Sequence, residues 1–298
     1  MHSRLFCFGL GYSAEVLVRR LLVDSWSVAG TARHDDRLAA LVVLGVTPYA
    51  FDRDRPLPAG ALAGATHLLV SVPPDQQGDP VLDGCAAAIA AAAATLRWIG
   101  YLSTTGVYGN HDGGLVDETT PPAPTSDRAR RRVAAEVAWL AFGERHGLAV
   151  HLFRLAGIYG PGRSAVDEVR AGTARRILRP GQLFSRIHVA DIASVLQASM
   201  ARPRPGAIYN VCDDAPAAPA EVIGFACDLL GVPPPPEVPF ESAALSPMAQ
   251  TFWADNKRVS NRRIKDELGV ALAFPTYREG LQAIVDAEAT SGPSSLSG

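Results

Sequence analysis

Arg4-Leu5-Phe6-Cys7-Phe8-Gly9-Leu10-Gly11-Tyr12-Ser13-Ala14 is the stretch on which the fold turns. An apolar run reads as a strand, a Gly-x-Gly-x-x-Ala turn follows at once, and Tyr12–Leu22 reads as a helix. A turn without side chains lets the backbone approach a pyrophosphate. The phosphates then rest on the free N–H groups and positive dipole end of the helix. The pattern carries weight because it stands between a strand and a helix. Gly9, Gly11, Tyr12, Ser13 and Ala14 are therefore candidate dinucleotide-binding residues.

Outward from that turn, further strands are expected at Ser27–Thr31, Val46–Phe51, His67–Val72, Trp98–Ser103, Val150–Leu155 and Ala207–Val211. They alternate with amphipathic helices, the signature of a parallel sheet covered on both faces. The fold class is α/β, a doubly wound Rossmann sheet. Asp83–Leu96 is nearly all alanine and reads as a smooth helix, suited to close packing on the sheet or on a second subunit. From about Gly157, Pro and Gly become frequent. Val232–Pro239 reads as a stiff connector and Ser291–Gly298 as a disordered tail. The expected organisation is a dinucleotide-binding domain of residues 1–156 plus 187–211, a substrate lobe of 157–186 plus 212–290, and the tail 291–298.

The 298 residues are 48% hydrophobic and 19% charged with a net charge of −2, which describes a soluble globular chain with no bias towards nucleic acid. No apolar run approaches the roughly 18 residues that span a bilayer, and no signal-peptide core precedes Leu5, so a cytoplasmic location is expected. Cys7, Cys85, Cys212 and Cys227 are scattered without a Cys-x-x-Cys pair, which favours buried reduced thiols over disulfides or a metal site.

Cofactor choice is read at the end of the second strand. An NAD enzyme usually carries an acid there, whereas a nearby Arg accommodates a 2'-phosphate. Val28-Ala29-Gly30-Thr31-Ala32-Arg33 has no acid, so Arg33 points to NADP, with Arg37 in reserve and NAD still possible given Asp35 and Asp36. Asp52 ends the third strand, placed either to accept from the adenine amino group or to cap its own loop. Ser71, Val72 and Pro73, at the end of the fourth strand and just beyond it, complete the cofactor wall.

Tyr101-Leu102-Ser103-Thr104-Thr105-Gly106-Val107-Tyr108-Gly109 resembles the Ser-Ser/Thr-x-x-Val-Tyr-Gly signature of extended short-chain dehydrogenases, the superfamily of nucleotide-sugar epimerases and dehydratases. Arg154–Arg163, Arg186–Asp191 and Ile208–Val211 match further family segments in the right order, so the resemblance runs from about Leu5 to Leu281. It implies that Thr104 touches the substrate oxygen and that Ser103 and Ile158 lie at the cofactor. It also implies a homodimer built from the helices Asp83–Leu96 and Ser126–Arg145.

Two departures qualify that picture. The family's Tyr-x-x-x-Lys places a phenol and an ammonium on one helix face. Aligned on Ala134-Ala135-Glu136, this chain has Arg128 and Arg132 there. Arginine stays protonated, so Arg128 cannot exchange a proton with substrate. Arg132 could replace the lysine's contact with the nicotinamide ribose and Arg128 could bind an anionic substrate, or both belong to a solvated basic face with Arg130 and Arg131. Gly157 stands where epimerases often carry the Asn of Arg-x-x-Asn-x-Tyr-Gly-Pro. The resemblance is thus to the atypical branch that lacks the Tyr/Lys pair.

Tyr159, Arg163, Arg186 and His188 are candidate substrate residues, and water, Tyr108 or Tyr159 the candidate proton sources. Asp191 reads as the N-cap of a helix over Ile192–Met200, and Lys257–Glu267 as a helix whose charges form a solvated face. Two readings stand: an NAD(P)-dependent oxidoreductase or epimerase/dehydratase-like enzyme on a small polar or anionic, sugar-type or other, substrate; or a non-catalytic NADP-binding sensor or partner-binding protein.

Overall fold

The structure, a computed structural model, describes residues 3–291. Its first half comprises β1 (Arg4–Phe8), α1 (Tyr12–Val23), β2 (Ser27–Ala32), α2 (Asp35–Val43), β3 (Thr47–Ala50), β4 (His67–Val70), α3 (Pro80–Ala91), β5 (Trp98–Thr104), β6 (Leu115–Val116) and α4 (Asp127–His146). The second half comprises β7 (Val150–Leu155), β8 (Gly157–Tyr159), α5 (Ala165–Arg170), β9 (Arg176–Leu178), β10 (Arg186–His188), α6 (Val189–Ala201), β11 (Ile208–Val211), α7 (Pro219–Leu230), β12 (Glu237–Pro239), α8 (Pro247–Ala254), β13 (Arg258–Val259), α9 (Arg262–Asp266) and α10 (Tyr277–Ser291).

The seven strands expected from the sequence form one sheet, in the order β11-β7-β5-β4-β1-β2-β3, and every pairing in it is parallel. Leu5 pairs with Val28 on one side and His67 on the other, so strand order reverses around β1. The turn after β1 therefore opens at the switch point where such sheets leave a crevice. Alternation along β1 builds both cores. Leu5 and Cys7 join a cluster with α1 and α6 residues, while Phe6 and Phe8 join one with α3 and α4 residues.

Helix boundaries differ where a side chain intervenes. Helix α3 starts at Pro80, ahead of the expected Asp83, because Asp79 accepts from the N–H groups of Val81 and Leu82 and Pro80 suits the first turn. It stops short of Leu96 as Thr95 Oγ1 binds the carbonyls of Ala92 and Ala65, turning the chain into β5. Asp191 does not cap α6. His188 does, its Nδ1 accepting from Ala190 N, whereas the buried Asp191 carboxylate accepts from Ala273 N (2.8 Å) and Phe274 N (3.0 Å). The helix expected over Lys257–Glu267 is only α9, preceded by β13.

Beyond the main sheet, β8 pairs with β10, β9 with β12 and β6 with β13. A separate apolar cluster of Tyr159, Val166, Val222, Ala226, Tyr277 and Leu281 lies among α5, α7 and α10. The last residues of the expected connector Val232–Pro239 form β12. Of the expected tail Ser291–Gly298, all but Ser291, the end of α10, lies outside the described residues. All four cysteines are buried free thiols.

Candidate active site

A cleft of about 970 Å³ runs from the Gly-rich turn to the segments around α5, α7 and α8. Gly9 has φ +78°, and a Cβ there would stand 2.9 Å from Val72 Cγ2, so the position requires glycine. The turn is pinned by Gly9 N to Thr31 Oγ1 (2.8 Å) and by Ser71 Oγ, which donates to the Gly9 carbonyl. Gly11 caps α1 with no side-chain hydrogen bond, and no atom lies within 4 Å of where its Cβ would be. The cleft reaches Gly11, Tyr12, Ser13 and Ala14 there, so the first N–H groups of α1 face open space, a cradle that fits a pyrophosphate.

Of the other expected cofactor residues, Ser71, Ser103, Arg132 and Ile158 line the cleft. Val72 packs on Gly9, and Pro73 is exposed just beyond it. Arg33 is exposed at the end of β2, while Arg37 is engaged with Glu15 (2.5 Å) and the Leu10 carbonyl. Asp52 caps its own loop: its carboxylate accepts from the backbone of Asp54 and Arg55 and from the Arg55 side chain (2.8 Å).

The signature turn and α4 form the facing wall. Thr104 lines the cleft, and its Oγ1 accepts from Gly106 N (3.1 Å), leaving its O–H free to donate. Ser126 caps α4 by accepting from Ala129 N, which fixes where Arg128 and Arg132 emerge. Both line the cleft. Arg132 Nη1 donates to Tyr101 Oη (2.9 Å) and the Leu102 carbonyl (2.8 Å). The Arg128 guanidinium lies 5.8 Å from the Phe252 ring centre. Arg130 instead pairs with Asp127 on the solvated side.

Residues 84–212, which span the signature turn, α4 and the strands beneath them, match the NAD dependent epimerase/dehydratase family. That segment is similar to the family and makes up 129 of the 298 residues. A conserved protein of Silicibacter pomeroyi DSS, described as functionally unknown, is 53% identical, with a TM-score of 0.88 over 96% of this chain and 99% of that one. Protein YeeZ of Escherichia coli K12 is 28% identical over 90% of this chain and 94% of its own. The fold alone is shared with UDP-glucuronic acid 4-epimerase from Bacillus cereus, solved with NAD: 15% identity and a TM-score of 0.77 over 99% of this chain and 100% of that one.

Several of the signature residues are structural. Tyr108 is fully buried and off the cleft: its Oη donates to Asn210 Oδ1 (2.8 Å) and accepts from Arg154 Nη1 (2.9 Å), and burial raises its pKa. It therefore has no route to a substrate proton. Tyr159 lines the cleft, but its Oη donates to the Thr276 carbonyl (3.3 Å) and stands against Gly280, with burial again raising its pKa. Arg163 and Arg186 line the cleft, Arg163 over the Tyr12 ring and Arg186 donating to the carbonyls of Phe184 and Ala217. His188 does not line it; burial between Tyr159 and Phe274 lowers its pKa to about 4.

Sequence reasoning missed Asp255 and Lys257, which enter the cleft beside Arg128. Lys257 is half-buried and off any helix, so it is no part of a solvated helical face. Thr125 Oγ1 donates to Asp255 Oδ1 (2.7 Å), joining this segment to the start of α4. Nothing local in the sequence announces that contact, because it joins residues 130 apart.

Proposed function

We propose that the protein is an NADP-dependent oxidoreductase or epimerase-like enzyme acting on a small polar or anionic substrate. One observation carries the reading: a single cleft is lined at once by the uncapped start of α1, by the Thr104 hydroxyl and by the guanidiniums of Arg128 and Arg132. Gly9, Gly11 and the first N–H groups of α1 would hold the pyrophosphate, Arg33 the 2'-phosphate and Arg132 the nicotinamide ribose. Bound there, the dinucleotide would supply hydride exchange at its nicotinamide ring. Thr104 polarises the substrate oxygen through its free O–H. Arg128 stays charged and holds a carboxylate or phosphate by charge-assisted hydrogen bonds.

The alternative is a cofactor-binding sensor without turnover. Mixing the protein and NADPH with a panel of small aldehydes, ketones and 2-oxo acids separates the two: loss of the reduced-nicotinamide absorbance supports the enzyme, and NADPH binding without loss supports the sensor. We also propose a symmetric homodimer through α3 and α4, whose exposed faces carry Ala87, Ala88 and Ala91, and Ala134, Val137 and Ala138.

A further inference from the structure

Of the 28 Lys and Arg side chains in this sequence, only Lys257 and Lys265 are lysines. Arginine meets nearly every demand for a cation here, and what lysine adds is the ability to lose its proton. Lys265 is a surface partner of Asp214. Lys257 lines the cleft, with Nζ donating to the Gly109 carbonyl (2.8 Å) and lying 3.4 Å from Asp255 Oδ2. An ammonium has three N–H donors, so one is left without a protein acceptor among the described residues.

We propose that Lys257 is the group that exchanges a proton with the substrate oxygen in this cleft, in the absence of a phenol at position 128. The assignment rests on the enzyme reading above. When a substrate carbonyl is reduced, the C=O π pair moves onto oxygen, which takes a proton from Nζ. The N–H electron pair stays on nitrogen as the neutral amine, which regains a proton from water. The hydride and its two electrons come from the reduced dinucleotide. Oxidation of an alcohol runs the same exchange backwards, with the neutral amine accepting the hydroxyl proton.

The surroundings favour that role. Burial lowers the Lys257 pKa from its ordinary value, and the Asp255 carboxylate opposes the shift. The other charged or titratable groups packed around this segment are His111, whose N–H bonds the Asn256 carbonyl, Arg179, which donates to the Trp253 carbonyl, and Arg128 across the cleft.

With only two lysines, protein labelled with 13C-lysine gives two Cε resonances to titrate with NADPH bound. We expect the Lys257 midpoint well below that of Lys265, and lower still in Asp255→Asn. For any carbonyl compound that the wild type reduces, Lys257→Arg should keep NADPH affinity and substrate KM within about three-fold. Its kcat should fall by about 10²–10⁴, the usual worth of a general acid. Turnover that survives in Lys257→Arg overturns the assignment while leaving the enzyme intact. If the wild type reduces nothing, the enzyme reading fails by itself and the midpoint decides: at or above that of Lys265 it ends the assignment, and well below it a proton-exchanging amine remains in the cleft.

Discussion

Arg154 and Glu136 lie side by side beneath the cleft, Nη2 to Oε2 2.7 Å and Nε to Oε1 3.1 Å, each side chain 3% exposed. Ser103 Oγ donates to Glu136 Oε1 (2.5 Å), and Arg154 continues through Tyr108 to Asn210, so residues of β5, α4, β7 and β11 are tied into one buried polar network. Removing one partner of such a pair leaves an uncompensated charge, at a cost of about 3–5 kcal/mol. Glu136→Leu should therefore lose stability on that scale in urea denaturation. Glu136→Leu with Arg154→Met should recover most of it. A single mutant as stable as the wild type would show that the pair does not hold these elements together.

That network marks the boundary of what the sequence made legible. The seven sheet strands follow from short apolar runs between turns, and the places of Thr104, Arg128 and Arg132 follow from local motif spacing. The roles of Tyr108 and Asn210 did not, because their partners come from strands adjacent only in the folded sheet. Asp52 was ambiguous in sequence, since an acid at a strand end serves equally to cap a loop, and its Arg55 partner decides for the cap. Lys257 was invisible as a site residue. It reaches the cleft through the pairing of β13 with β6, two residues long and with no periodic signal of its own.

Arg33 stands exposed at the end of β2, so cofactor choice should be readable from ligand-induced stabilisation. A ligand at about 100 times its dissociation constant adds roughly 2.7 kcal/mol to a native state that alone binds it. NADP should raise Tm more than NAD at equal concentration, and Arg33→Ala should shrink the gap. Equal shifts from the two dinucleotides in the wild type would exclude a 2'-phosphate contact.

Arg128 and Arg132 should separate by their partners. Arg132→Ala removes the donor to Tyr101 Oη and the Leu102 carbonyl, so it should cost about 1–3 kcal/mol of stability and weaken NADP in calorimetric titration. Arg128 meets the Phe252 ring at the exposed edge of the cleft, so Arg128→Ala should leave stability within about 0.5 kcal/mol. The same substitution should weaken binding of small anions such as oxalate or phosphate about ten-fold or more. Unchanged anion binding in Arg128→Ala would return that residue to the solvated face.

His151 makes the acid limb of stability predictable. Its fully buried ring meets the Ile99 carbonyl through Nδ1 (3.2 Å) and Arg204 N through Nε2 (2.7 Å), a pairing that requires a neutral ring with Nε2 as acceptor. Burial lowers its pKa from the ordinary 6.5 to about 4. The unfolded chain therefore binds the proton more readily over that interval. The stability that the neutral ring contributes is complete above about pH 6.5 and is lost progressively as pH falls towards 4. Between the ordinary value and pH 5 this amounts to about 2 kcal/mol for this one group. Asp213 acts in the opposite sense, because burial raises its pKa to about 7 and the folded state then holds a proton that the unfolded state releases. The useful measurement is accordingly a difference. His151→Gln can still donate and accept but cannot titrate, so between pH 7 and pH 5 it should lose about 2 kcal/mol less unfolding free energy than the wild type. Parallel losses in the two proteins would mean that His151 is not the neutral, doubly bonded ring described here.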